Sequence, residues 1–378
     1  MKELNDYLIK VRRHLHMFPE TGFNCVNTSA FIEEELNKFK VDKIEHVGKH
    51  SLVATVYNGI GKIVGLRADF DALNITEETK LEFSSKNDGV MHACGHDAHT
   101  SMLLAACKYL VENKDKWQGT VKFIFQEAEE GPDPGGAYYI VNSGVLSDVE
   151  EFFALHVSPG FDTGELAINY GNALAAADTI NVEFEGVGTH AAYPHLGVDP
   201  IVMQADFIIS IQSIVSRKVD PFKTAVVTIG MVKSGTTFNI IPNKAYLSGT
   251  VRTFSNDVRD LIEKKLKIIA DSVAIKHDGK CNFEYIRGYD PTVNSFDSVD
   301  RMIEAGKDIF DKITILKEAS MGAEDFSRYI NLKKGSIAWL GVKNPNIDNY
   351  NIHNSKFNLN EEALIKGCKL FINIVMKG

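Results

Sequence analysis

A chain of 378 residues that is 44% hydrophobic and 24% charged can bury more than one core, and its composition is too mixed for a disordered or fibrous protein. Its formal charge of −9, with no run of Lys or Arg, excludes the clustered cations that hold nucleic acid or an anionic membrane surface. The five cysteines, Cys25, Cys94, Cys107, Cys281 and Cys368, suit reduced thiols, no later apolar stretch is long enough for a bilayer, and MKELNDYLIKVRRHLH offers no apolar core for export, so the expected compartment is the cytoplasm.

Leu4, Tyr7, Leu8, Val11, Leu15 and Phe18 recur at helical spacing until Pro19 ends the pattern, which predicts an opening amphipathic helix. Strands are predicted at 52–57 and 63–68, a helix at 100–112, and further strands at 121–126 and 152–157; helices between strands mean an α/β domain. From Asp178 the pattern changes. A strand at 179–185, a helix at 200–216, strands at 225–232 and 245–254, a helix at 257–275 and a strand at 282–287 follow in the order β-α-β-β-α-β, the ferredoxin-like arrangement. After Asp290 the α/β style returns, with a helix near 298–310, strands at 313–317 and 336–342 and a closing helix at 361–375. The simplest account is a discontinuous α/β domain, 1–177 and 291–378, interrupted by an α+β domain at 178–290.

One glycine motif leads nowhere. GVGTHA at 186–191 fits a dinucleotide fingerprint, but such a site needs a helix opening directly on its last glycine or alanine, and here Pro194 and Pro200 intervene.

The chemistry concentrates in four places. MHACGHDAHT at 91–100 packs His92, Cys94, His96 and His99 together; alone it reads equally as a metal site or as a helix start capped by Asp97 or Thr100. QEAEEG at 126–131 puts Glu127, Glu129 and Glu130 at a strand end, where α/β sheets deliver functional side chains. His156 ends FFALHV, and His353 lies in the late loop NIHNSKFNL. A thiol, several imidazoles and paired carboxylates, all read as strand-end or loop positions, exceed what one metal ion needs, and two ions with a bridging ligand would use them.

LRADFDAL (66–73), MHACGHDAHT, QEAEEG, ALHV (154–157), GVGTHAAYPH (186–195), NIIP (239–242), GTVRTF (249–254), GAEDF (322–326) and His353 together resemble the metal-dependent amidohydrolases of the aminoacylase and carboxypeptidase superfamily. The likeness is greatest to the branch of hippurate hydrolases, auxin-conjugate hydrolases and N-acetyldiaminopimelate deacetylases, and it runs in order from Arg12 nearly to the C-terminus. The resemblance implies a catalytic α/β domain with a dinuclear metal site and an inserted lid that dimerises. It implies two divalent ions (Zn, Mn, Co or Ni) held by Cys94, His96, Glu130, His156 and His353, with the Cys94 thiolate shared. Glu129 would be the general base, its side chain opposed to that of Glu130 because neighbours on an extended segment alternate. His190 would donate to the oxyanion, and Asn239 and Arg252 would hold a substrate carboxylate; without the resemblance, His190 reads as a turn residue and Arg252 as part of a surface ion pair.

Asp69 and Asp71 read either as carboxylates that orient a ligand histidine or as turn residues, and His92 and His99 as neighbours of the ligands. His14 and His16 read as packing or hydrogen-bonding residues of the first helix. Glu324 and Asp325 read as bordering the site or as acidic residues of a helix start. Where the family commonly has proline this chain has Glu127, which either loosens the loop or adds a carboxylate near the metals. The function implied is hydrolysis of N-acyl amino acids. The alternatives are a dipeptidase or carboxypeptidase on the same centre and a non-catalytic metal-binding protein.

Overall fold

In the computed structural model, which describes residues 1–346 and 348–377, the chain divides into two compact units. The first comprises Met1–Ala173, Val293–Ala319 and Asp325–Gly378; the second comprises Leu174–Thr292 and Ser320–Glu324.

The first unit is built on an eight-stranded mixed sheet in the order Lys43–Val47, Ser51–Asn58, Gly119–Gln126, Ile63–Asp69, Glu151–Asp162, Gly335–Lys343, Leu166–Ile168, Ile313–Ile315. Its four central strands, from Gly119–Gln126 to Gly335–Lys343, run parallel. Gly119–Gln126 is buried along its whole length and Ile63–Asp69 along all but its first residue, as parallel strands covered on both faces must be. Helix His96–Glu112 fills one face, packed against Lys2–Met17, Val26–Phe39 and Leu364–Met376. Leu8, Ile32, Met102, Phe123, Phe153 and Leu340 join these layers in one core.

The register positions the chemistry. Asp69 pairs with Gln126, and Arg67 pairs with Ala154, two residues before His156. Three central strands therefore deliver Asp69, Gln126 and His156 at one level.

The second unit is a four-stranded antiparallel sheet, ordered Ala225–Ser234, Lys244–Thr253, Ala176–Glu185, Lys280–Arg287, with helices Pro200–Arg217 and Asn256–Lys276. The chain order is β-α-β-β-α-β, the predicted ferredoxin-like arrangement. Ile180, Val182 and Phe184 alternate inward against Phe207, Ile211, Ile262 and Leu266. The helices start on side-chain caps, Asp199 accepting from the Ile201 N–H and Ser255 from the Val258 N–H.

Among the elements unread in the sequence are helix Val26–Phe39, edge strand Lys43–Val47 and the short helices Gly136–Asn142 and Ser327–Leu332. Among the described residues, no helix is long and apolar enough to cross a membrane.

Candidate metal centre

The helix that bears the histidines starts at His96, four residues earlier than periodicity suggests, so His96 and His99 are helical residues and not loop residues. Gly95 is its N-cap at φ +86°, and a Cβ there would lie 2.4 Å from Val157 Cγ2. Only glycine makes this turn at this distance. Neither Asp97 nor Thr100 caps the helix: the Asp97 carboxylate meets Arg12 Nε at 2.9 Å and His16 Nδ1 at 2.8 Å, and Thr100 Oγ1 donates to Asp69 O at 2.7 Å. His16 thus ties the first helix to this one, while His14 stacks on Phe31.

All five expected metal ligands belong to the first unit, and the structure brings them together in overlapping sets. Cys94, His96 and His156 offer donor atoms within 4.8 Å of one another, as do Cys94, Glu130 and His353, and also His96, Glu129 and Glu130. Cys94 is common to the first two sets. Its Sγ lies 3.5 Å from His156 Nε2, and His156 Nδ1 donates to Val157 O at 2.8 Å, which leaves the Nε2 lone pair facing the sulfur. His353, held at φ +65°, reaches Glu130 with Nε2 2.7 Å from Oε1. A non-glycine residue in that region is uncommon, and such backbones collect at functional sites.

The donor chemistry fits divalent metal. His96 Nδ1 is 3.3 Å from Asp71 Oδ1, whereas His96 Nε2 is fully buried with no hydrogen-bond partner among the described residues, Asp69 Oδ2 and Glu129 Oε2 standing off at 3.7 and 4.0 Å. An orphaned imidazole nitrogen costs desolvation energy, and an ion among a thiol, imidazoles and carboxylates would satisfy it. The electrostatics agree. Burial works against a charged His96, but Asp69, Asp71 and Glu130 outweigh it and push its pKa up to about 10. Burial, then Glu130 and Glu129, push the Cys94 thiol well up. A cation would relieve both.

A buried carboxylate frame surrounds these donors. Asp71 accepts the N–H of Glu129 at 3.0 Å and that of Glu130 at 2.9 Å, besides touching His96. Asp69 Oδ1 meets His99 Nδ1 at 2.6 Å, and His99 Nε2 accepts the Val157 N–H at 2.9 Å. Both His99 nitrogens are therefore engaged, and burial above all lowers its pKa to about 4, which keeps the ring neutral. Asp69, His96 and His99 also lie within donor range of one another, but these bonds make His99 a strut between strand ends. Arg67 spans Asp69 Oδ2 at 2.6 Å and Asp325 Oδ1 at 2.8 Å, and Gln126 binds the other Asp325 oxygen at 2.7 Å. Sequence reasoning missed Arg67 and Gln126; the signal available was a guanidinium and an amide near the C-terminal ends of their strands, beside Asp69.

One expectation needs correction. Glu129 and Glu130 do not alternate along an extended segment: residues 127–131 form bends after the strand, and Ala128 has φ +53°. Asp71 sets these two residues, by its bonds to their backbone. Glu127, 1% exposed, points away to the turn at 48–51, where Oε1 accepts from the Lys49 and His50 N–H groups. His92 is buried, and neither of its ring nitrogens has a hydrogen-bond partner among the described residues.

The expected substrate residues belong to the second unit. His190 is exposed on the two-residue strand Thr189–His190, paired with Ile240–Ile241. The Ala192 N–H donates to His190 Nδ1 at 3.0 Å, which puts the ring proton on Nε2. Asn239 is exposed, with Oδ1 accepting from Thr237 Oγ1 at 3.2 Å. Arg252 is half-buried, its Nη1 donating to Thr250 Oγ1 at 2.5 Å, and no carboxylate of its neighbouring strands pairs with it among the ion pairs described.

Residues 65–377 match the model of peptidase family M20/M25/M40. The chain is 36% identical over 372 residues to thermostable carboxypeptidase 1 of Saccharolobus solfataricus, covering 97% of this chain and 94% of that protein. It is 36% identical over 374 residues to N-acetyldiaminopimelate deacetylase of Oenococcus oeni, covering 97% and 96%. Among solved structures it superposes on the YxeP protein of Bacillus subtilis, described as a dinuclear metal binding peptidase, with TM-score 0.86, 30% identity and coverage of 100% and 99%.

Proposed function

The chain belongs to peptidase family M20/M25/M40, and we propose that within it this protein is a metal-dependent amidohydrolase that removes the acyl group from an N-acyl amino acid. The observation that carries this reading is Cys94, common to two donor sets, with Glu129 buried beside Glu130 at their edge. A purely structural metal site has no use for that extra carboxylate.

Held by Cys94, His96, Glu130, His156 and His353, two divalent ions would supply a water of lowered pKa and a Lewis acid for the amide carbonyl. Glu129 takes a proton from the attacking water and returns it to the amide nitrogen as the C–N bond breaks, leaving a carboxylate and a free amine. His190 donates its Nε2 proton in a hydrogen bond to the carbonyl oxygen as that oxygen gains charge. Arg252 and Asn239 hold the carboxylate of the amino acid, for which a guanidinium fork is suited. A Glu129→Ala variant should keep both ions and lose about 10²–10⁴ of turnover; full turnover with both ions bound refutes this division of roles.

The 36% identity to a thermostable carboxypeptidase favours a second reading, cleavage of dipeptides or peptide C-termini on the same centre. A free α-amino group would then need an acidic partner. Val187, Leu196, Ile240 and Phe238, the last 97% exposed, form apolar surface on the second unit and support pairing with a second copy, which mass in solution checks. Five unpaired cysteines support the reducing cytoplasm as its compartment.

A further inference from the structure

Glu127 is a carboxylate with a site on one side of it and nothing of that site's chemistry in its own contacts. Its side chain is buried, yet among the described residues no cation pairs with it; Oε1 accepts the N–H of Lys49 at 2.8 Å and of His50 at 2.9 Å, with Ser51 Oγ at 3.4 Å. Ser51 Oγ in return accepts the Glu127 N–H at 3.1 Å. At Gly48, φ +68°, a Cβ would stand 2.9 Å from Glu127 Oε1, so the turn closes tightly around the carboxylate. These contacts lie just where the pairing of strands Ser51–Asn58 and Gly119–Gln126 stops, Leu52 facing Phe125. The side chain extends the ladder after the backbone has left it.

The backbone leaves abruptly. Ala128 follows at φ +53°, its carbonyl accepting the Gly136 N–H at 3.0 Å, and Glu129 and Glu130 then present their N–H groups to Asp71. The segment is thus pinned at both ends by carboxylates, Glu127 reaching outward and Asp71 reaching in. The two carboxylates flank a left-handed alanine, a backbone that an L-residue keeps only where its surroundings hold it.

We infer that Glu127 is a positioning residue, which fixes the placement of Glu129 and Glu130 by bonding the turn at 48–51 without touching the centre. This rests on the roles proposed above for those two glutamates. Reach and acceptor character are what the geometry uses. Charge is not: Oε2 is buried with no hydrogen-bond partner among the described residues, so an amide nitrogen in its place exchanges one unsatisfied atom for another.

Two conservative variants separate these properties. Glu127→Gln keeps the reach and the acceptor; Glu127→Asp keeps the charge and is one methylene short. Zn²⁺ or Mn²⁺ titrated into the metal-free full chain should bind Glu127→Gln as it binds the unaltered protein and Glu127→Asp about 10–100-fold more weakly, the loss typical when an outer support of a metal ligand is removed. In the loaded proteins kcat should follow the same order, with KM little changed. A Glu127→Asp protein that loses only thermal stability, with metal affinity and kcat intact, overturns the inference, as does a Glu127→Gln protein impaired as much as Glu127→Asp. The metal titration needs no substrate, so it stands even if the unaltered protein releases no amine, an outcome that counts against the amidohydrolase reading alone.

Discussion

Asp71 binds the backbone of Glu129: the Glu129 N–H donates to Asp71 Oδ1 at 3.0 Å, and the same oxygen is 3.3 Å from His96 Nδ1. One carboxylate therefore orients a metal-facing ring and the loop beside it. In Asp71→Asn, whichever way the amide turns, a backbone N–H or the His96 ring meets a donor in place of an acceptor. Metal affinity should fall about 10–100-fold, read by calorimetric titration. Unchanged affinity would mean that the frame does not set the donors.

Metal uptake should release protons. With Asp69, Asp71 and Glu130 outweighing burial, His96 has a pKa of about 10, and burial with nearby carboxylates pushes the Cys94 thiol up, so in the metal-free protein at neutral pH both carry a proton. An ion must displace them; affinity therefore rises with pH across the range below about 10, and about two protons leave on binding. Calorimetry in two buffers of different ionisation heat measures this number. Uptake without proton release contradicts the donor set.

His190 carries its proton on Nε2 because Ala192 occupies Nδ1. His190→Ala should lower kcat by about 10²–10³, as loss of one oxyanion donor does, and leave metal affinity alone. A parallel drop in affinity would make it a ligand instead.

Gly95→Ala tests the helix start. The left-handed backbone at φ +86° costs an L-residue about 1–2 kcal/mol, before its Cβ meets Val157. The thermal midpoint should fall, and adding Val157→Ala should restore only part of it, because relieving the contact does not relieve the backbone. Full restoration would show that the contact alone makes the glycine necessary.

The second unit was legible because alternation and helical period are local: Thr179 to Glu185 alternates in the sequence as the strand Ala176–Glu185 alternates in burial. Helix Val26–Phe39 was not, since the run Glu33-Glu34-Glu35 interrupts its apolar residues and Cys25 makes no side-chain cap bond. The same limit governs the centre. MHACGHDAHT and QEAEEG name donor types, but the loop bearing Glu129 and Glu130 is shaped by Asp71, 58 and 59 positions away, and by turn 48–51. Nothing within QEAEEG encodes the left-handed Ala128. The helix start was misjudged because the periodic pattern begins at Thr100, four residues after His96, the first residue of the helix.

Amine release from N-acetyl, N-benzoyl and N-succinyl amino acids, N-acetyldiaminopimelate included, with dipeptides alongside, tests the central claim most directly. Release from at least one N-acyl amino acid should be abolished by chelation and restored by Zn²⁺ or Mn²⁺. Release from dipeptides alone would move the assignment to the peptidase reading, and silence across the panel in metal-loaded protein would contradict hydrolysis at this centre.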